Sequence, residues 1–343
     1  MLLPPDDKLI NDIRAVLLDP SARASIIFGT IGKHTQEEDK KPPYSLDLNI
    51  SSYAFLSEFI FYFINLFCQL ACIRMIIKKN FVQKGPFYSI LLTLCISVTL
   101  RISIFLTYLT ISTKIKQETL QGYSIPTVTL IVDYCSNYFS LIITFIMSLN
   151  RCLSFVARKW NEKIFIGNRY VITIIISLVI SVISGSIAVS SSQIKRYYIE
   201  PIGIIDIENE YQGYSKLINM LSFIFPTGSI ISYLIIYYHF YKKTRNLNSE
   251  VDIQNVEHQV YSQLFVTEVL YVLNYLLYQT ICRINWGDRI NQQTLVISIF
   301  NITNYLPEIS LPLLLLISDK RQEIRRRSMV RGVARVITEE TKL

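Results

Sequence analysis

Residues 170–190 read YVITIIISLVISVISGSIAVS, an apolar run without one charged side chain. At about 1.5 Å of rise per residue, a helix of this run extends roughly 30 Å, the thickness of a bilayer's hydrocarbon core. Lipid offers backbone amides no partner, so only helices and closed barrels cross it, and the run lacks the period-two alternation of a barrel strand. Working outward, similar runs lie at residues 54–77, 86–109, 126–149, 217–240, 260–281 and 294–318. The composition agrees: 17% of residues are charged, against about 25% in soluble domains. The fold class predicted is an all-α membrane protein, a seven-transmembrane helix bundle over 54–318. A polar segment, 1–53, precedes it, and a basic tail, 319–343, follows.

The net charge of +8 is not a nucleic-acid footprint, because its positions follow the membrane. Lys78, Lys79 and Lys84, then Arg158, Lys159 and Lys163, then Lys242, Lys243 and Arg245 fall in the first, third and fifth loops, and Arg325, Arg326 and Arg327 in the tail. The opposite loops hold far fewer, among them Lys114, Lys116, Lys195 and Arg196. The positive-inside rule then places the N-terminus outside and the C-terminus in the cytoplasm. Met1–Ile10 carries Pro4, Pro5, Asp6 and Asp7 where a secretory signal needs a cationic start and an apolar core, so the first span is expected to act as signal anchor. Residues 1–53 are expected to be largely disordered, with Asn49-Ile50-Ser51 a glycosylation sequon on the outer side. No zinc spacing occurs, and three scattered histidines (His34, His239, His258) make neither a metal site nor a cofactor site. The long outer loop, 191–214, has no cysteine for a disulfide to the third helix.

A charge inside a span needs a partner or a cavity. Arg101 lies about 22 Å up the second helix, and Asp133 about 10 Å below the outer end of the third. Both belong to the outer half, where they are expected to pair, to line a ligand cavity, or both. Tyr134, Tyr138, Tyr275 and Tyr278 are the aromatic candidates for that cavity, although aromatic stripes more often serve packing. Glu58, Tyr62, Asn65 and Gln69 recur on one face of the first span, and Asn301, Asn304 and Glu308 on one face of the last, so both faces turn inward. Glu268 and Tyr271 do the same on the sixth. Ser181, Ser184, Gly185, Ser186 and Ala188 give the fourth span a close-packing face. Pro226, Pro307 and Pro312 are candidate hinges, since proline removes a ladder hydrogen bond.

Asn150-Arg151 ends the third span. The string Met147-Ser148-Leu149-Asn150-Arg151-Cys152, continuing through Trp160-Asn161-Glu162-Lys163-Ile164-Phe165, resembles the close of the third helix in nematode serpentine receptors. These are chemoreceptor-type G-protein-coupled receptors of the class g superfamily, and class Xa is the nearest within it. The last span's Leu311-Pro312-Leu313-Leu314-Leu315-Leu316-Ile317-Ser318-Asp319-Lys320 is similar to that superfamily's seventh helix. The resemblance covers residues 54 to about 328, through short motifs. It implies a chemosensory receptor at the plasma membrane, in sensory-neuron cilia, that binds an external small-molecule or peptide cue. It implies a heterotrimeric G protein as partner, with Asn150 and Arg151 at the coupling surface and Arg151 released as the sixth helix swings outward. The chain departs from rhodopsin-like receptors in having no Asn-Pro-x-x-Tyr motif in the last span.

Three other classes were open on helix count alone. A retinal protein needs a lysine in its last helix, and 294–318 has none. An intramembrane enzyme needs paired catalytic groups, and Asp133 is the lone aspartate within the spans, so no enzyme activity is expected. A small seven-helix transporter stays as the alternative, although no internal repeat is visible. Beyond ligand and G protein, the basic tail Lys320–Arg327 fits contact with anionic membrane lipids.

Overall fold

The computed structural model describes residues 48–81, 85–114, 124–165, 167–199, 203–207, 214–244, 265–277, 280, 295–296 and 299–321. In chain order the elements are α1 (Leu48–Lys78), α2 (Pro86–Ser112), α3 (Ile125–Val156), α4 (Arg158–Phe165), α5 (Arg169–Ser191), β1 (Lys195–Ile199), β2 (Gly203–Ile207), α6 (Tyr214–Ser222) and α7 (Ile224–Thr244). Two further helices follow, α8 (Phe265–Leu277) and α9 (Ile299–Arg321). Six helices are long and apolar enough to cross a membrane, counting α6 and α7 as one span at Leu217–His239, and α8 is a shorter apolar helix. The chain is a multi-pass helical membrane bundle. α1 begins at Leu48, earlier than the expected residue 54, so Asn49 sits in its first turn.

α3 is the central helix. It packs on α2, α5 and α7, and its buried face carries Ile142, Ile143, Ile146 and Met147 into the main core. Lipid removes the hydrophobic drive between helices, so close packing and polar contacts must hold them together. The α3–α5 contact shows the first device. Ser177, Ser181, Gly185 and Ala188 are buried in a line on α5, and Ser184 and Ser186 flank them half-buried. A Cβ on Gly185 would stand 2.6 Å from Cys135 Sγ and 2.9 Å from the Cys135 backbone nitrogen. Gly185→Ala is therefore expected to lower stability by about 1–3 kcal/mol, the usual cost of overpacking. Thermal unfolding in detergent measures it. Adding Cys135→Ala should restore only part of the loss, because the backbone clash stays.

Two proline effects differ. Pro226 has no N–H for the carbonyl of Ser222 and its ring crowds that carbonyl. The span breaks at Phe223, between α6 and α7. α9 instead runs unbroken through Pro307 and Pro312. Pro312 leaves the Glu308 carbonyl without its helical donor, and Gln69 of α1 supplies one from its side chain at 3.1 Å.

Between α5 and α6 the chain forms an antiparallel hairpin, with Arg196 opposite Asp206 and Tyr197 opposite Ile205. Ile194, just before it, packs with Leu130 of α3 and Val189 of α5. This anchors the hairpin across one end of the bundle. The sequence reading predicted only a loop there. At the other end α4 folds back along the bundle, burying Phe165.

Candidate functional site

The hairpin end of the bundle holds a line of alternating charges. Arg101 of α2 and Glu308 of α9 are both 3% exposed and form a salt bridge. The Arg101 guanidinium also lies 4.6 Å from the centroid of Tyr305, which in turn meets Tyr62 of α1 edge-on. Arg101 Nε stands 3.7 Å from Asp133 Oδ1 on α3. The other Asp133 oxygen accepts a 2.9 Å bond from Arg196 Nη2. Arg196 then grips Asp206 across the hairpin through Nε and Nη2, both at 2.7 Å. A flat guanidinium fork matches a carboxylate in this two-bond geometry. Burial lowers the Arg196 pKa, yet the carboxylates of Asp206 and Asp133 outweigh it and hold the group well above its ordinary value. It is a fixed cation.

Glu308, Arg101, Asp133, Arg196 and Asp206 thus join α9, α2, α3 and the hairpin in one relay. Asp133 and Asp206 each keep 22% of their side-chain surface. They are the relay's accessible members, whereas Arg101, Glu308 and Arg196 are buried. With three carboxylates against two guanidiniums, the fully ionised relay carries one excess negative charge.

Of the sequence candidates, Arg101 and Asp133 come together, but the tighter partner of Arg101 is Glu308. Helical periodicity had turned Glu308 inward without naming a partner. Arg196 and Asp206 were missed; their signal was a cation and an anion ten residues apart in one loop, which pair only once a hairpin forms. Tyr134 and Tyr138 lie with ring centroids 6.4 Å apart, and the Tyr138 hydroxyl donates to Asn219 Oδ1 at 2.7 Å. Tyr275 stacks on Phe223 at 3.7 Å. Tyr138 therefore meets α6 one turn before the α6–α7 break, and Tyr275 meets the break residue itself. Tyr278 lies outside the described residues. Around the relay, amides knit further helices: Asn274 donates to Asn304 at 2.9 Å, and Asn301 to Glu58 at 3.2 Å.

A column of hydroxyls leads away from the relay along α3. Ser136, Ser140, Thr144 and Ser148 are all buried, and each of the last three returns its hydrogen to the carbonyl four residues back. Ser136 also meets Ser97 of α2 at 3.1 Å. At the α4 end, Asn150 is 4% exposed and donates to Asn161 of α4 at 2.9 Å. The guanidinium of Arg151 sits 3.9 Å above the ring of Phe87 at the start of α2. Lys79, just after α1, and Asp319 of α9 form a salt bridge between the C-terminal ends of those two helices. Among the described residues no three His, Cys, Asp or Glu side chains gather as metal ligands would. No protein-family model matches the chain, and no curated protein does either.

Proposed function

We propose that the chain is a chemosensory seven-helix receptor of the plasma membrane, similar to the nematode serpentine receptors, with the hairpin outside and α4 in the cytoplasm. The charge relay beneath the hairpin carries the reading. It links a surface that an external cue can meet to α2, α3 and α9 through buried, directional contacts. A small-molecule or peptide cue that engages Asp133 or Asp206 competes for Arg196 and Arg101, and so changes how the hairpin, α3 and α9 hold together. A cue can shift the population of two states only by binding one of them better. The relay supplies such a difference, because breaking any link exposes or strands a charge.

At the other end, Arg151 on Phe87 and Asn150 on Asn161 describe a closed arrangement. In the signalling state the outward swing of α8 opens a cleft, and Arg151 leaves the Phe87 ring to meet a heterotrimeric G protein. Arg151→Ala is expected to abolish signalling in a calcium or cyclic-nucleotide reporter assay while cue binding and surface display stay within about twofold of wild type. Unchanged signalling would remove Arg151 from the coupling surface.

The break at Phe223 supports a second reading, since discontinuous helices mark transporters. Cells displaying the chain and proteoliposomes loaded with it separate the two. A receptor gives a reporter signal for its cue and no uptake; a transporter accumulates labelled substrate without any G protein.

A further inference from the structure

Deeper in the bundle, a second acid stands apart from the relay. Glu268 of α8 is 1% exposed and forms no salt bridge among the described residues. Its neighbours are hydroxyls. Ser148 Oγ of α3 lies 3.4 Å from Glu268 Oε1 and 2.8 Å from the Tyr233 hydroxyl of α7. Ser229, one turn before Tyr233, lies beside the same carboxyl. It is fully buried, and its hydroxyl meets no partner other than that carboxyl. On the next turn of α8 stands Tyr271, with Glu308 beyond it.

Counting hydrogens shows what is missing. Ser148 has one, divided between the Thr144 carbonyl at 2.9 Å and Glu268 Oε1 at 3.4 Å. Tyr233 then donates to Ser148. The carboxylate is left with that long, shared bond and with the Ser229 hydroxyl on its other side, and no cation stands beside it among the described residues. A buried carboxylate this poorly served needs a positive charge. A small cation among them would be met by the carboxylate and by the lone pairs of all three hydroxyls, and hard cations take oxygen ligands.

We propose that Glu268, Ser148, Ser229 and Tyr233 form a binding site for a monovalent cation, Na⁺, shared by α3, α7 and α8. The ion joins three helices at one point, so it holds α8 against α3. The site does not depend on the receptor reading, because sodium binding is read on the folded chain alone.

The test is the thermal unfolding of the purified full-length chain in detergent, titrated with NaCl against N-methylglucamine chloride at constant ionic strength. Sodium at roughly ten times its dissociation constant is expected to raise the midpoint by about 3 °C. Glu268→Gln should flatten the titration, and Ser229→Ala should move its midpoint to about tenfold higher sodium. A wild-type chain that responds equally to both salts overturns the site, and so does a Glu268→Gln chain that keeps the full sodium response. Should Glu268→Gln fail to fold, the wild-type comparison and Ser229→Ala still decide: a Ser229→Ala titration identical to wild type counts against the site.

Discussion

Arg101→Met should lower stability by about 3–5 kcal/mol, the penalty for stranding one member of a buried ion pair. The cost follows from which charge is left behind. Glu308 is 3% exposed, and among the described residues its ionic partner is Arg101. Removing that guanidinium leaves a carboxylate in the core with no counter-charge. Glu308→Gln is expected to cost less, because Arg101 keeps Asp133 at 3.7 Å and the ring of Tyr305 at 4.6 Å. The double change Arg101→Met with Glu308→Gln removes both charges and should recover most of what Arg101→Met loses. Thermal unfolding of the four proteins in detergent forms a double-mutant cycle. Equal costs for the two single changes, or no recovery in the double, would show that the pair does not carry the α2–α9 contact.

Arg196→Ala has the second largest effect, and it is local. One side chain closes the hairpin on Asp206 and ties it to α3 through Asp133. Truncating a member of a hydrogen-bonded charge pair costs about 2–5 kcal/mol at a buried contact. Because both aspartates keep some water, the lower value of about 2 kcal/mol applies. That corresponds to roughly 30-fold faster amide exchange over β1 and β2, with α2 and α3 unchanged. Under the receptor reading, the cue's affinity and the reporter response fall with it. The exchanged pair Arg196→Asp with Asp206→Arg separates the two links. It rebuilds the cross-strand bond but sets an acid against Asp133, so it should close the hairpin without restoring the tether. Full recovery of wild-type exchange and response would mean that Asp133 plays no part.

The spans were legible because length and apolarity are one-dimensional properties, and the packing face of α5 because small residues recur at helical spacing. The Pro226 break was legible for the same local reason, a missing amide. Relations between distant segments were not. The cost of a charge in lipid turned Arg101 and Asp133 inward, and periodicity did so for Glu308, but the choice of Glu308 as the closest partner depends on how α2 and α9 are seated, 207 residues apart. Arg196 was read as a loop charge for membrane orientation, since nothing in LysArgTyrTyrIle announces a strand without its partner. Likewise the missing amide at Pro312 predicted a weak point in the last span, whereas Gln69 of α1 takes up the freed carbonyl and α9 stays whole.

That last contact bears on how the protein is made. α1 and α2 enter the membrane first, carrying the Gln69 amide and the Arg101 guanidinium. The groups that receive them, the Glu308 carbonyl and carboxylate, lie on α9 and arrive last. Until then the early helices hold polar groups that lipid cannot serve. Assembly therefore includes a closure step in which α9 meets both at the same residue. A chain stopped before α9 would leave Arg101 with the 3.7 Å approach of Asp133 in place of its tighter salt bridge, a mark by which quality control can tell an unfinished bundle from a finished one.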